Sequence, residues 1–156
     1  MKAATIHEIK QELLSLKPPV LAELCLRLGK FKKENKELLT YLLFEAHDEQ
    51  AYVTGIKNEI EEEFSTINLS HLYFAKKSLR KIVRMINKYC RYSSNKETEL
   101  SLRIHFCSTL KESGIPIDKN PVINNLYLSQ LKKIHSVLAG LHEDLQFDYL
   151  KDIEKL

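Results

Sequence analysis

The chain has no tryptophan and only four glycines, four prolines and three cysteines among its 156 residues. Scarce turn formers argue against a strand-rich fold, which needs a tight turn every few residues, and favour long helices with few breaks. Seven tyrosines and six phenylalanines must carry all the aromatic packing. Cys25, Cys90 and Cys107 are odd in number and far apart. They form no C-x-x-C pair, so no zinc knuckle or redox dithiol is expected. Each falls in an apolar-periodic stretch, where a thiol acts as a small buried hydrophobe, as expected in a reducing cytoplasm.

Long hydrophobic runs are missing too. The strongest, Leu38 to Phe44, is far below the roughly 20 residues that cross a bilayer. Met1 to Lys10 mixes charged and apolar residues without the uninterrupted core of a signal peptide. The expectation is a soluble, cytoplasmic protein with no membrane partner.

Catalytic signatures are absent as well. There is no G-x-S-x-G, phosphate-binding loop, dinucleotide fingerprint or EF-hand sequence. His7-Glu8 begins a zinc-protease pattern, but position 11 is Gln. His135 and His142 share a helical face if one helix spans both, yet two turns set them about 10 Å apart, too far to hold one ion between them. Glu45 with Asp48 and Glu59 with Glu62 are carboxylate pairs lacking the Glu-x-x-His of di-iron bundles. No catalytic, cofactor-binding or metal residue is assigned. An enzyme reading would need a deep polar pocket joining His105 or His135 to buried carboxylates.

What is present is helical periodicity. Thr5 and Glu8 stand in capping-box spacing before Ile6, Ile9 and Leu13. Pro18-Pro19 ends that helix, Pro19 opens a second, and Gly29 closes it. A third helix, Lys32 to His47, is apolar on most sides through Leu38, Leu39, Tyr41, Leu42, Leu43 and Phe44, the mark of a central helix. Asp48 caps a fourth over Glu49 to Ser65, and Asn68 or Ser70 a fifth ending near Tyr92. Ser93-Ser94-Asn95 is a loop, Lys96 to Ser113 a sixth helix closed by Gly114, and Asn120-Pro121 starts a seventh. Residues 143–156 either continue the seventh or fold back after Gly140. The fold class is all-α: a single domain over residues 1–156, with seven or eight helices packed as antiparallel hairpins. Irregular α-α superhelix and compact bundle are both open.

The stretch Leu24-Cys-Leu-Arg-Leu-Gly-Lys-Phe-Lys-Lys-Glu-Asn-Lys-Glu-Leu-Leu-Thr-Tyr-Leu-Leu-Phe-Glu45 resembles small bacterial all-helical proteins of no assigned activity, distantly similar to α-α superhelical repeat folds. The resemblance covers under a sixth of the chain. It implies stacked helix hairpins and a bacterial cytoplasm, and it supplies no functional residue.

Charge is the uneven feature. Net charge is +3, yet Phe64 to Lys96 contains no acid and holds Lys76, Lys77, Arg80, Lys81, Arg84, Lys88, Arg91 and Lys96. Lys76, Arg80, Arg84, Lys88 and Arg91 recur every three or four residues and line one helix side. Just upstream, Glu45 to Glu63 carries seven acids and one base. An antiparallel hairpin would set Glu61 to Glu63 near Lys76 and Lys77, and Asp48 and Glu49 near Arg84 to Arg91, neutralising both blocks. The functional alternative is a basic face that meets a polyanion. Tyr73, Phe74, Tyr89 and Tyr92 lie among these bases, placed either for core packing or for stacking on single-stranded bases. A second cluster, Lys30, Lys32, Lys33 and Lys36, opposes the macrodipole of the helix it opens and reads as solvated. The expected function is a non-catalytic interaction domain whose partner is another protein, with nucleic acid as the alternative. The candidate anion- or partner-binding residues are Lys76, Lys77, Arg80, Lys81, Arg84, Lys88 and Arg91.

Overall fold

The computed structural model describes residues 2–156, and every element among them is helical: α1 (Ile6–Ser15), α2 (Pro18–Phe31), α3 (Lys33–Thr40), a π-helical turn (Tyr41–Glu45), α4 (Glu49–Ser65), α5 (Leu72–Ser93), α6 (Lys96–Glu112), α7 (Pro121–Leu138) and α8 (Glu143–Ile153). The all-α expectation holds. Where the sequence reads as one domain over 1–156, the chain's contacts fall into two compact units, the first running to Phe44 and the second from Glu45 to Leu156.

The first unit starts as its sequence dictates. The backbone N–H of Glu8 donates to Thr5 Oγ1 at 3.3 Å, while the Thr5 N–H donates to Glu8 Oε2 at 2.7 Å. The Thr5 N–H and then the Thr5 hydroxyl, which donates to the same Oε2 at 2.8 Å, favour the ionised Glu8 carboxylate and lower its pKa. The second helix opens one residue earlier than expected, with Pro18 at its first position and Lys17 as cap. It also runs straight through Gly29. That glycine is there for proximity: a Cβ on it would lie 3.0 Å from Leu39 Cδ1, so its absence lets α3 pack closely on α2.

The expected long central helix over Lys32 to His47 is corrected. α3 has eight residues and then widens into the π turn, and of Leu38 to Phe44 only Tyr41 is buried. A dense leucine run reports how much apolar surface exists, not what covers it. None of α1, α2 or α3 buries a single residue.

The second unit holds the core, and its central rod is α6. Leu100, Leu102, Phe106, Cys107 and Leu110 are fully buried on one wide face of it, against which α4, α5 and α7 pack. α5 runs antiparallel to α4, with Lys81 beside Glu63 and Tyr89 beside Tyr52, so the expected hairpins assemble here as a bundle. Asp48 caps α4 through the Ala51 N–H at 3.0 Å, and Asn95 and Asn120 cap α6 and α7. The cap of α5 is corrected: His71 takes that position with no side-chain bond, while Asn68 Oδ1 accepts the Ser70 N–H at 2.9 Å in a turn just before it. Ser94, at φ 55°, and Gly114, at φ 74°, turn the chain out of α5 and α6. The tail folds back as a separate helix: α7 stops at Leu138 and His142 caps α8, so His135 and His142 do not share a helix.

One charged group sits inside this core. Arg103 on α6 is 3% exposed. Its Nε and Nη2 donate to Glu99 Oε1 at 2.8 and 2.6 Å, its Nη1 to Gln130 of α7 at 2.7 Å, and its Nη2 to Asn87 of α5 at 2.9 Å. The guanidinium fork therefore ties three helices at one point. Burial lifts the neighbouring Cys90 and Cys107 thiols to about 12 against the pull of Arg103, so both act as inert hydrophobes. Removing one partner of a buried pair leaves a charge without compensation. Glu99→Ala is expected to lower unfolding stability by about 2–4 kcal/mol, read as the shift of the urea midpoint at constant slope. A loss under about 0.5 kcal/mol, within the range of ordinary surface changes, would show that the network is not a structural tie.

Candidate basic interface on the second unit

The face of α5 opposite the core carries the cations. With 100° per residue, Ala75, Leu79, Ile82, Ile86 and Cys90 point inward, Lys77, Arg80, Arg84 and Arg91 point the other way, and Lys76 lies on the flank between. Lys77, Arg80, Arg84 and Arg91 are exposed and Lys76 is half-buried. Tyr73, Lys76, Lys77, Arg80 and Arg84 line an open cavity of about 340 Å³, closed on its other side by Val122 at the start of α7. No acidic side chain lines it.

The hairpin neutralisation expected from sequence is corrected for the outer cations. Lys81 Nζ lies 2.6 Å from Glu63 Oε1, but among the described residues Lys76, Lys77, Arg80, Arg84 and Arg91 form no ion pair with the acidic block. The connection from Thr66 to His71 moves the register, so that Glu63 meets Lys81 and not Lys76 or Lys77. Three other acids of the block hold further groups. Glu59 accepts the Tyr89 hydroxyl at 2.9 Å, Glu49 accepts the hydroxyls of Ser93 and Thr98, and Glu61 stands 3.2 Å from His105 Nε2. Lys88 sits over the Tyr89 ring, 4.7 Å from its centroid. Of the seven, Lys76, Lys77, Arg80 and Arg84 meet at one place, while Lys81 and Lys88 are engaged elsewhere.

The four aromatic residues among the bases divide the same way. Tyr89 packs edge-on to Tyr52 and Tyr92, as structural rings do. Tyr73 and Phe74 form a T-shaped pair 5.5 Å apart and stay 69% and 51% exposed. Leu69 and Leu72 are exposed just before them. This apolar fringe was missed in the sequence, where Leu72 looks like one more stripe residue. Its position in the first turn, beyond the reach of α6, is the signal that was available. The Lys30–Lys36 cluster of the first unit is solvated as expected, with Lys33 3.6 Å from Glu37.

A polar pocket of about 270 Å³ does contain His105, with Lys57, Ser101, Ser108, Tyr149 and Asp152 around it. Its carboxylate is not buried: Asp152 is exposed and held by Lys155 at 2.9 Å. Burial, then the Lys57 charge, lowers the His105 pKa against the opposing pull of Glu61, the Lys57 backbone and Glu112. Nε2 approaches Glu61 without the alignment of a hydrogen bond, in keeping with a neutral ring. Among the described residues no cluster of His, Cys, Asp and Glu fit to hold a metal occurs, and no helix is long and apolar enough to cross a membrane. No family model matches this chain, and no curated protein or solved structure matches it significantly.

The His105 shift fixes a sign. The unfolded ring titrates near 6.5 and the folded ring lower, so its contribution to stability is complete above about pH 6.5 and fades as pH falls below that value. His105→Asn is expected to lose less stability than the parent between pH 7.5 and 5.5, compared by urea midpoints at each pH. Equal losses in the two proteins would sink this assignment.

Proposed function

We propose that this chain is a non-catalytic interaction module of the bacterial cytoplasm, whose second unit holds an acidic segment of another protein on the basic face of α5. The observation that carries this reading is the convergence of Lys76, Lys77, Arg80 and Arg84 on one open cavity with no acid in its lining. Like charges at helical spacing repel by a few tenths of a kcal/mol per pair, and a bound carboxylate-rich segment would remove that cost. The exposed Tyr73 in the cavity lining, with Phe74 packed against it, supplies an apolar anchor of the kind that sets protein interfaces apart from purely electrostatic ones.

Nucleic acid is the lesser reading. A single-strand groove stacks successive bases on a row of rings. Here only Tyr73 lies in the basic cavity, while Tyr89 and Tyr92 are committed to packing. The cytoplasmic setting is supported by three free cysteines, two of them buried thiols.

The test titrates the full chain with two fluorescent probes: a peptide alternating Glu with Leu and Phe, and an oligo-dT of matching length. The peptide is expected to bind in the micromolar range, and Arg80→Glu with Arg84→Glu to weaken it at least tenfold. Tighter binding of the oligonucleotide, with a log–log salt slope of about −3 for four neutralised phosphates, would move the assignment to nucleic acid. Binding of neither probe in 20 mM salt would overturn both.

A further inference from the structure

The first unit exposes half of a core. Val20, Leu24, Leu28 and Phe31 recur at four, four and three residues along α2, and Ile9 and Leu13 continue the pattern on α1. Phe31 is 80% exposed and none of the six is buried. Helices of ten, fourteen and eight residues are marginal in water unless an apolar face is covered. Those six side chains leave on the order of 450–600 Å² in water, taking roughly 150–200 Å² for each fully exposed one, and the apolar share of an interface is roughly 55–65% of its area. A stable interface takes about 800 Å² from each partner, and obligate dimer interfaces resemble a domain core cut in half.

We infer that a second copy of this chain covers that face, with the two α2 helices packed antiparallel about a two-fold axis near Cys25 and Leu26. The charge pattern selects this occupant and this direction. Glu23, Arg27 and Lys30 lie on one flank of the apolar stripe, all exposed, and none has an ion-pair partner among the described residues. In an antiparallel two-fold pair the same flank of each helix meets, which sets Glu23 of one copy beside Arg27 and Lys30 of the other, on both ends of the axis. The same operation places Val20 opposite Phe31, small against large, as close packing requires. A parallel pair would bring neither match. Because the helices need cover in order to persist, the covering surface has to be present whenever the chain is, and an identical chain satisfies that.

This inference concerns the first unit and stands apart from the α5 reading. Sedimentation velocity on the full chain from 1 to 100 μM is expected to give twice the 18.2 kDa chain mass. Leu24→Arg with Leu28→Arg should raise the dissociation constant at least 100-fold and leave acidic-peptide binding unchanged. Glu23→Arg alone should weaken the dimer at least tenfold, and adding Arg27→Glu and Lys30→Glu should restore it, since the triple variant reverses every charge of the pair. A chain-mass species at 100 μM overturns the inference. So does a dimer indifferent to Leu24→Arg with Leu28→Arg, and so does a triple variant no tighter than Glu23→Arg.

Discussion

The second unit depends on a helix that is buried around most of its circumference. Leu100, Leu102, Phe106, Cys107 and Leu110, with Ile104 beside them, leave only the side of Ser101, His105 and Ser108 to solvent, so three other helices pack on the rest. Arg103 in its middle then requires hydrogen-bond acceptors at fixed positions, and Glu99, Asn87 and Gln130 provide them from α6, α5 and α7. Apolar burial drives the helices together without much regard to rotation. The guanidinium fork fixes how they are turned.

That rotation decides what α5 offers to solvent. Once its apolar stripe is committed to α6, the opposite face looks outward, and no acid lines the cavity there. The acids of α4 face toward α5 and α6, where Tyr89, Ser93, Thr98, His105 and Lys81 use them. The basic cavity is thus a by-product of where the core ends. A face this charged and this open, with aromatic rings at its edge, is suited to a partner and of little use to the fold.

The two units contrast in how they meet the same physical demand. The second encloses its apolar residues within its own helices. The first has comparable leucine spacing but leaves it uncovered, from Ile9 to Phe31. An apolar patch of that size is often functional, and one acid followed by two bases along α2 gives it a direction as well as an extent.

Much of this was legible in the residues themselves. Helix positions follow from leucine spacing, and Thr5, Asp48, Asn95 and Asn120 mark their own helix starts because a short polar side chain can satisfy backbone N–H groups locally. The segregation of charge before and after Phe64 is visible by eye. Each of these is a local property, set by groups within four residues of one another. What the sequence could not reveal is which apolar stripe finds cover. Leu38 to Phe44 looked central and lies mostly exposed, while α6, which looked like one stripe among several, buries more residues than any other helix. Nor could it reveal that Glu63 would reach Lys81 and leave Arg80 and Arg84 free, because hairpin register depends on the connection and on the rotation imposed by a third helix. Local physics determined the rods and their charges. Only the packing of distant segments decided which faces are inside.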